Sequence, residues 1–252
     1  MKILGIDTSG MPASVAVVSD DFPDGHLLAE YTVNFKKTHS QTLLPMLDEI
    51  CRMIELDLDS IDAVAVAAGP GSFTGLRIGS ATAKGLGLAL EKPLVSVPTV
   101  DALAYNLCGT DAAVCPLMDA RRGQVYTGFY EFEGTRMKVL EPQKVCLLED
   151  VASGICALDR KTIFLGDGVP VYYDKIRSLM EGKDYSFAPA HLNRQRAGAV
   201  AALAFTYVEG GLTESADEHA PVYLRLPQAE RERLKRERLD SVRGGTSEGG
   251  DA

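Results

Sequence analysis

Two aspartates of this sequence could bring carboxylates into one site. Asp7 ends the first strand-like run, in Gly-Ile-Asp-Thr-Ser, and Asp119 ends a later one, in Leu-Met-Asp-Ala-Arg. Carboxylates that face each other across a cleft can hold a magnesium ion and the phosphates of a nucleotide. The alternative is structural, because a carboxylate at a strand end can accept hydrogen bonds from the backbone N–H groups of the turn that follows.

A glycine-rich segment, Gly69-Pro70-Gly71-Ser72-Phe73-Thr74-Gly75, joins a buried apolar run to a helical segment. Backbone N–H groups at such a turn can bind an anion. The segment lacks the Gly-Lys-Ser/Thr of a phosphate loop, and its glycines follow GxGxxxG in place of GxGxxG. A tight turn that requires positive φ is an equally good interpretation. The residues predicted to bind a nucleotide are Asp7, Thr8, Ser9, Gly69, Gly71 and Asp119.

Small residues recur every four positions along the helical segment at 73–90. Gly75, Gly79, Ala83 and Gly87 fall on one helix face, although each glycine inside a helix costs about 0.5–1 kcal/mol relative to alanine. This ridge indicates that another backbone comes close. The neighbour could be the protein's own sheet or a helix of another subunit.

Histidine and cysteine spacing predicts neither a metal site nor a catalytic nucleophile. Four widely separated histidines form no HxxxH or HExxH, and no GxSxG is present. The five cysteines are an odd number without a CxxC pair, which favours a reducing compartment over a disulfide framework. The N-terminus turns polar at Asp7, too soon for a signal-peptide core, and no later stretch has the apolar length of a membrane span. We therefore predict a cytoplasmic protein.

The composition favours a folded protein that does not bind nucleic acid by itself. The 252 residues are 46% hydrophobic and 24% charged, as in average soluble domains. Acidic residues outnumber basic ones 35 to 26, which gives a net charge of −9. Unaided RNA or DNA binding is disfavoured, because it usually requires surplus positive charge.

The apolar pattern predicts the order strand-strand-strand-helix-strand-helix-strand in the first half, and the second half repeats this order as far as its second helix. In the first half, strands are expected at 2–6, 13–18, 27–35, 63–68 and 93–97, with helices at about 41–55 and 73–90. In the second half, strands are expected at 113–118, 125–132, 137–146 and 162–165, with helices at 148–156, 171–180 and 195–208.

This duplicated βββαβαβ order resembles the plan of the actin/hexokinase/heat-shock-ATPase (ASKHA) superfamily, whose two lobes flank a cleft. We therefore predict an α/β fold with an N-terminal lobe at 1–100 and a C-terminal lobe at 101–227, whose last helix can pack back on the first lobe. Residues 228–252 carry six acids and six bases and then a glycine-rich end, which predicts a charged flexible tail.

Five segments, taken together, resemble the bacterial TsaB (YeaZ) family. They run in order along residues 2 to about 227, and they are Gly5-Ile6-Asp7-Thr8-Ser9, His39-Ser40-Gln41-Thr42-Leu43-Leu44-Pro45, Gly69 to Gly79, Asp119 to Tyr126 and Pro221-Val222-Tyr223-Leu224-Arg225. No single segment is specific, but the combination is.

The resemblance implies a subunit of the machinery that adds threonylcarbamoyl to the adenosine beside the anticodon of tRNAs reading codons that begin with A. In that family the related TsaD is catalytic, TsaB is its required non-catalytic partner, and the ATPase TsaE is a further partner. TsaD-like proteins bind their metal through an HxxxH, at whose positions this chain has Thr99 and Leu103. We predict no cofactor for this chain on its own, a possible ATP or ADP site at a partner interface, and tRNA contact only through the complex.

The family's contact between TsaB and TsaD is similar to a four-helix bundle built from two N-terminal-lobe helices of each partner. The residues that the resemblance assigns to this interface are Leu43, Leu47, Ile50, Gly75, Ile78, Gly79, Thr82, Ala83 and Gly87. The same surface could form a homodimer when TsaD is absent.

Two enzymatic alternatives remain open at this point. The first is an ATP-dependent phosphotransferase of the ASKHA superfamily that uses Asp7 and Asp119. The weaker one is a glycoprotease-like metalloprotease, which the missing HxxxH disfavours.

Overall fold

The computed structural model describes residues 1–22 and 25–225, and one order of elements occurs in it twice. The first copy comprises β1 (Lys2–Asp7), β2 (Ala13–Ser19), β3 (His26–Val33), α1 (His39–Met53), β4 (Ala63–Gly69), α2 (Phe73–Leu90) and β5 (Leu94–Pro98). After α3 (Thr99–Tyr105), the second copy comprises β6 (Ala113–Asp119), β7 (Gln124–Glu133), β8 (Arg136–Leu147), α4 (Leu148–Leu158), β9 (Thr162–Leu165), α5 (Gly168–Val171), α6 (Tyr173–Leu179) and β10 (Tyr185–Phe187). The helix α7 (Ala197–Glu209) follows. The predicted α/β fold with a duplicated βββαβαβ order is confirmed.

Each copy forms a five-stranded mixed sheet with the same arrangement of strands. The first sheet has the order β3-β2-β1-β4-β5, in which β1 pairs antiparallel with β2 and parallel with β4. The second has the order β8-β7-β6-β9-β10, in which β6 pairs antiparallel with β7 and parallel with β9. The central strands β1 and β6 are therefore equivalent, and they end in Asp7 and Asp119.

Helices cover both faces of the first sheet, because its central strands are apolar on both sides. On one face, Leu43 of α1 and Ala83 of α2 pack in one cluster with Val66 of β4. On the other face, α7 contributes Ala201 to a cluster with Ala65. The last described helix, which follows the second sheet in sequence, thus packs on the first lobe.

Close approach of α7 to the first sheet depends on Gly5 in β1. A Cβ atom at Gly5 would collide with the carbonyl oxygen of Ala197 at the start of α7. Glycine at this position lets the helix backbone lie directly on the strand.

Apolar periodicity does not predict α3, because Thr99 to Leu103 are all buried and no polar face reveals the helical period. The helix connects the two lobes through Asp101. The Tyr130 hydroxyl of β7 donates to the Asp101 carboxylate at 2.6 Å, and the Tyr207 hydroxyl of α7 does so at 3.5 Å.

Three further expectations differ from the structure or lie outside it. The helix predicted at 171–180 corresponds to α6, and the four-residue helix α5 before it is not predicted; the two are separated at Tyr172, which leaves the helical region with φ −112° and ψ 19°. The three-residue strand β10 is not predicted, because three residues are too few to show alternation. The predicted tail at 228–252 lies outside the described residues.

Within the described part of the chain, no helix combines the length and apolar character needed to cross a membrane.

Candidate functional site

The turn that follows β1 packs directly on the glycine-rich turn that follows β4. The Ser72 N–H donates to the Ser9 carbonyl oxygen at 2.7 Å, and the Thr8 hydroxyl donates to the Gly75 carbonyl oxygen at 2.8 Å. A Cβ atom at Gly71 or Gly75 would overlap the backbone of the first turn. The contact brings together five of the predicted nucleotide-binding residues: Asp7, Thr8, Ser9, Gly69 and Gly71.

The Asp7 carboxyl group is buried, with 1% of the residue exposed. Its Oδ1 accepts hydrogen bonds from the Ser9 N–H at 2.9 Å and the Ser9 hydroxyl at 2.6 Å. Burial raises the pKa of Asp7 to about 6, although the bonds from Ser9 and the charge of His39 favour the ionised form. These bonds match the structural interpretation, in which the carboxylate closes its own turn.

Asp119 closes the equivalent turn in the second lobe. Its Oδ1 accepts from the Arg121 backbone N–H at 2.8 Å and from the Tyr172 hydroxyl at 3.0 Å. The Asp119 N–H donates to the Asp167 carboxylate at 3.3 Å. Burial raises the pKa of Asp167, against the effects of that bond and of the Arg194 charge. Both predicted carboxylates therefore stabilise the turns that follow equivalent strands.

Three N–H groups of the glycine-rich turn, those of Gly69, Ser72 and Gly75, are bonded inside the protein. Gly69, at φ +123°, donates to the Thr99 hydroxyl at 3.1 Å. Gly75 donates to the Ser72 hydroxyl at 3.3 Å, which caps α2. These donors stabilise the turn itself. The turn therefore fits a tight structural connection better than an anion-binding site.

The small-residue ridge of α2 faces the protein's own first lobe, which corrects the prediction that it contacts a partner. A Cβ atom at Gly79 would collide with the Thr8 hydroxyl, and one at Gly87 would lie 3.1 Å from the Lys92 carbonyl oxygen. Seven of the nine predicted interface residues are buried in this structure: Leu43, Leu47, Ile50, Gly75, Gly79, Ala83 and Gly87. The other two, Ile78 and Thr82, are half-buried. Spacing identified the ridge but not the direction in which it points.

Outside their buried faces, α1 and α2 carry exposed apolar side chains, and those of α1 lie on two flanks of the helix, because Leu44 and Met53 are about 180° apart around its axis. Leu44 and Met53 of α1 are 56% and 65% exposed, and Leu88 of α2 is 57% exposed. At Gly85 of α2, a Cβ atom would have no neighbour within 4 Å. We call these four residues the outer helical surface.

Residues 214–225, here called the C-terminal strap, are fastened to the first lobe by His219. The His219 Nε2 lies 2.9 Å from the Ser80 Oγ, and its Nδ1 lies 2.8 Å from a Glu214 carboxylate oxygen and 2.9 Å from the Ser96 Oγ. Although serine, histidine and glutamate are arranged as in hydrolytic triads, Ser80 is only 4% exposed and His219 only 3%. The cluster therefore joins the strap to α2 and β5 and is closed to a substrate.

The strap then continues from the first lobe to the second. The Val222 N–H donates to the Ala68 carbonyl oxygen at 2.7 Å, beside the glycine-rich turn. The Arg225 guanidinium donates to the carbonyl oxygen of Ala120, which follows Asp119. Pro221 to Arg225 belong to the segments that carry the family resemblance, but their pattern predicts no role, because no local pattern reveals contacts over more than 100 residues.

Comparison with known proteins shows similarity along most of the chain. The family model described as "TsaD: tRNA N6-adenosine threonylcarbamoyltransferase" matches residues 26–233. The tRNA threonylcarbamoyladenosine biosynthesis protein TsaB of Bacillus subtilis (strain 168) is 33% identical over 232 residues, which cover 91% of this chain and 96% of that protein. The protein of the same name from Escherichia coli (strain K12) is 37% identical over 133 residues, which cover 52% of this chain and 55% of that protein. The solved structure of YeaZ from Pseudomonas aeruginosa is 29% identical, with a TM-score of 0.72, and the match covers 88% of this chain and 100% of that one.

Proposed function

Because the chain belongs to the TsaB (YeaZ) family of tRNA threonylcarbamoyladenosine biosynthesis proteins, we propose that it is a non-catalytic subunit acting with TsaD and TsaE. The proposed complex works in the cytoplasm and transfers threonylcarbamoyl to the adenosine next to the anticodon of tRNAs that read codons beginning with A. The observation that carries the proposal is the match to nearly the whole length of the Bacillus subtilis protein.

The surroundings of Thr99 and Leu103 support a non-catalytic role. By the resemblance, these residues correspond to the two histidines of HxxxH in TsaD-like proteins. The Thr99 hydroxyl accepts the Gly69 N–H, and the Leu103 side chain lies in an apolar cluster with 1% exposure. Neither side chain replaces an imidazole ligand, so chemistry is assigned to the partner.

The outer helical surface is the proposed site of contact with TsaD. Leu44, Met53 and Leu88 leave apolar area exposed on two neighbouring helices, and Gly85 leaves space for a second backbone. Burying such area between two proteins is favourable, and buried interface centres are rich in apolar side chains. The same surface would support a two-fold homodimer when TsaD is absent.

The subunit role is tested by reconstitution with TsaD and TsaE of the same organism. We expect co-elution of this chain with TsaD from a sizing column, and threonylcarbamoyl transfer to tRNA only when this chain is present. If TsaD is fully active alone and forms no complex, the subunit role is wrong.

We propose further that this chain alone binds no nucleotide and that ATP or ADP binds at a partner interface. The carboxylate of Asp7 is buried and bonded to Ser9, and the Gly69 N–H is bonded to the Thr99 hydroxyl. Titration of the isolated chain with Mg-ATP in a calorimeter should therefore give no binding heat. Binding together with phosphate transfer would instead support the phosphotransferase alternative.

A further inference from the structure

Arginines without carboxylate partners gather where the C-terminal strap meets the turn between β6 and β7. Arg121 and Arg122 are exposed in that turn, and Arg225 bonds to the carbonyl oxygen of the preceding Ala120. Across residues 1–22 and 25–225, the ion pairs involve neither Arg121 nor Arg122. The neighbouring Asp119 carboxylate is occupied by the turn's own N–H and by Tyr172. Asp119 keeps its negative charge in these bonds, but the three guanidinium groups outnumber the adjacent carboxylates of Asp119 and Asp167.

The backbone of this turn does not favour arginine. Arg121 and Arg122 have φ of +62° and +58°, and Gly123 has φ of +75°. L residues rarely adopt this region, and asparagine or glycine suits it better. An arginine side chain does not lower the energy of a backbone with positive φ. The stability of the turn therefore does not explain why positions 121 and 122 are arginine.

An exposed aromatic pair lies next to the arginines along the strap. The ring centroids of Tyr223 and Phe73 are 5.0 Å apart, with 38% and 39% of these residues exposed. The Arg77 guanidinium lies 5.4 Å from the centroid of the Phe73 ring. Aromatic faces beside guanidinium groups are a common platform for unstacked bases, with the cations on the phosphates.

We propose that this surface, called the arginine rim and formed by Phe73, Arg77, Arg121, Arg122, Tyr223 and Arg225, binds tRNA directly. Guanidinium groups contact backbone phosphates, and the Tyr223 ring stacks on an unpaired base. The net charge of −9 does not prevent this binding, because charges farther than about 8–10 Å are screened at physiological salt. That the RNA is a tRNA rests on the proposed function. That the surface binds phosphates and an unpaired base rests on the residues of the rim.

The rim is tested by fluorescence anisotropy with the full-length chain and an unmodified tRNA transcript that reads a codon beginning with A. We expect saturable binding at about 50 mM salt that weakens as salt rises. The double variant Arg121→Asn with Arg122→Asn removes both charges and places a better-suited residue in the turn. It should bind at least about fivefold more weakly and lower the salt slope by about one to two, with an unchanged or higher melting temperature.

Tyr223→Leu keeps an apolar contact with Phe73 but removes the ring face. We expect about fivefold or greater weakening of binding with an unchanged salt slope, because stacking is not an ionic contact.

The matched control is Arg136→Asn with Lys161→Asn, which removes two exposed charges elsewhere in the second lobe. Equal weakening by the control would show that binding follows only net charge, which would contradict the proposed binding of tRNA at the arginine rim. So would absence of tRNA binding at about 50 mM salt, or displacement of the transcript by equimolar ATP. In any of these cases, transfer activity that still requires this chain would leave the proposed subunit role intact.

Discussion

Burial dominates the titration of Asp7 and links the stability of the fold to pH. The pKa of Asp7 rises from 3.8 to about 6 because the folded protein desolvates its carboxylate. Between about pH 4 and 6 the folded state therefore binds more protons than the unfolded state, and the free energy of unfolding decreases as pH rises through this range.

At pH 8 the buried charge should reduce stability by up to about 3 kcal/mol. Asp7→Asn keeps an oxygen that can accept the two bonds from Ser9 and removes the charge. We expect it to raise the free energy of unfolding by up to about 3 kcal/mol at pH 8 and to have little effect below pH 4. Urea unfolding at several pH values measures this difference. A difference that does not change with pH would contradict the burial argument.

At the scale of elements, two glycines of α2 have opposite surroundings, because one is tightly packed and the other faces open space. Gly75 must be glycine because the Thr8 carbonyl oxygen occupies the place of its Cβ. Gly85 faces open space in the monomer, where it only weakens the helix.

Alanine at these two positions should shift stability in opposite directions. Gly75→Ala should lower the free energy of unfolding by about 1–3 kcal/mol, because the first turn must move to make room. Gly85→Ala should raise it by about 0.5–1 kcal/mol. Urea unfolding of both variants provides the comparison, and destabilisation by Gly85→Ala would show that this position is not open in solution.

The outer helical surface can be tested separately from the fold. Leu44→Glu with Leu88→Glu places two charges on exposed positions, so the monomer should remain folded while co-elution with TsaD is lost. Val171→Glu, at an equally exposed apolar position in the second lobe, is the control and should leave the complex intact. Intact complex in the double variant would place the contact with TsaD elsewhere.

At the scale of the whole molecule, three connections hold the lobes together: α3, the packing of α7 on the first sheet, and the C-terminal strap. The contact between Tyr130 and Asp101 lies at the centre of the first connection and is buried. Burial raises the pKa of Asp101 against the effect of its tyrosine donors.

Removing the hydroxyl at this connection should loosen both lobes. Tyr130→Phe deprives a buried carboxyl group of its closest donor, which should lower the free energy of unfolding by about 1–3 kcal/mol. Thermal unfolding followed by circular dichroism gives the change. Tyr31→Phe, at an exposed tyrosine of β3, is the control and should change stability by less than about 0.5 kcal/mol.

The sequence by itself determined the elements and their duplication. Strands such as β1 and β4 are apolar runs bounded by turn residues, and α2 has a clear small-residue period, so local pattern is sufficient for them. It also carried the resemblance to the TsaB family, because the segments that compose it are contiguous in the chain. It could not reveal α3, whose buried residues show no polar face.

Tertiary structure alone decided which way each face points and which distant residues meet. The ridge of α2 could face a sheet or a partner, and only the position of Thr8 shows that it faces inward. Asp7 could bind a ligand or close a turn, and its burial and bonds to Ser9 favour the second. Ser80 and His219 are 139 residues apart. The physical reason is that the spacing of apolar residues shows which face of a helix or strand is buried. It does not show which segment covers that face, because this depends on contacts between residues far apart in the chain.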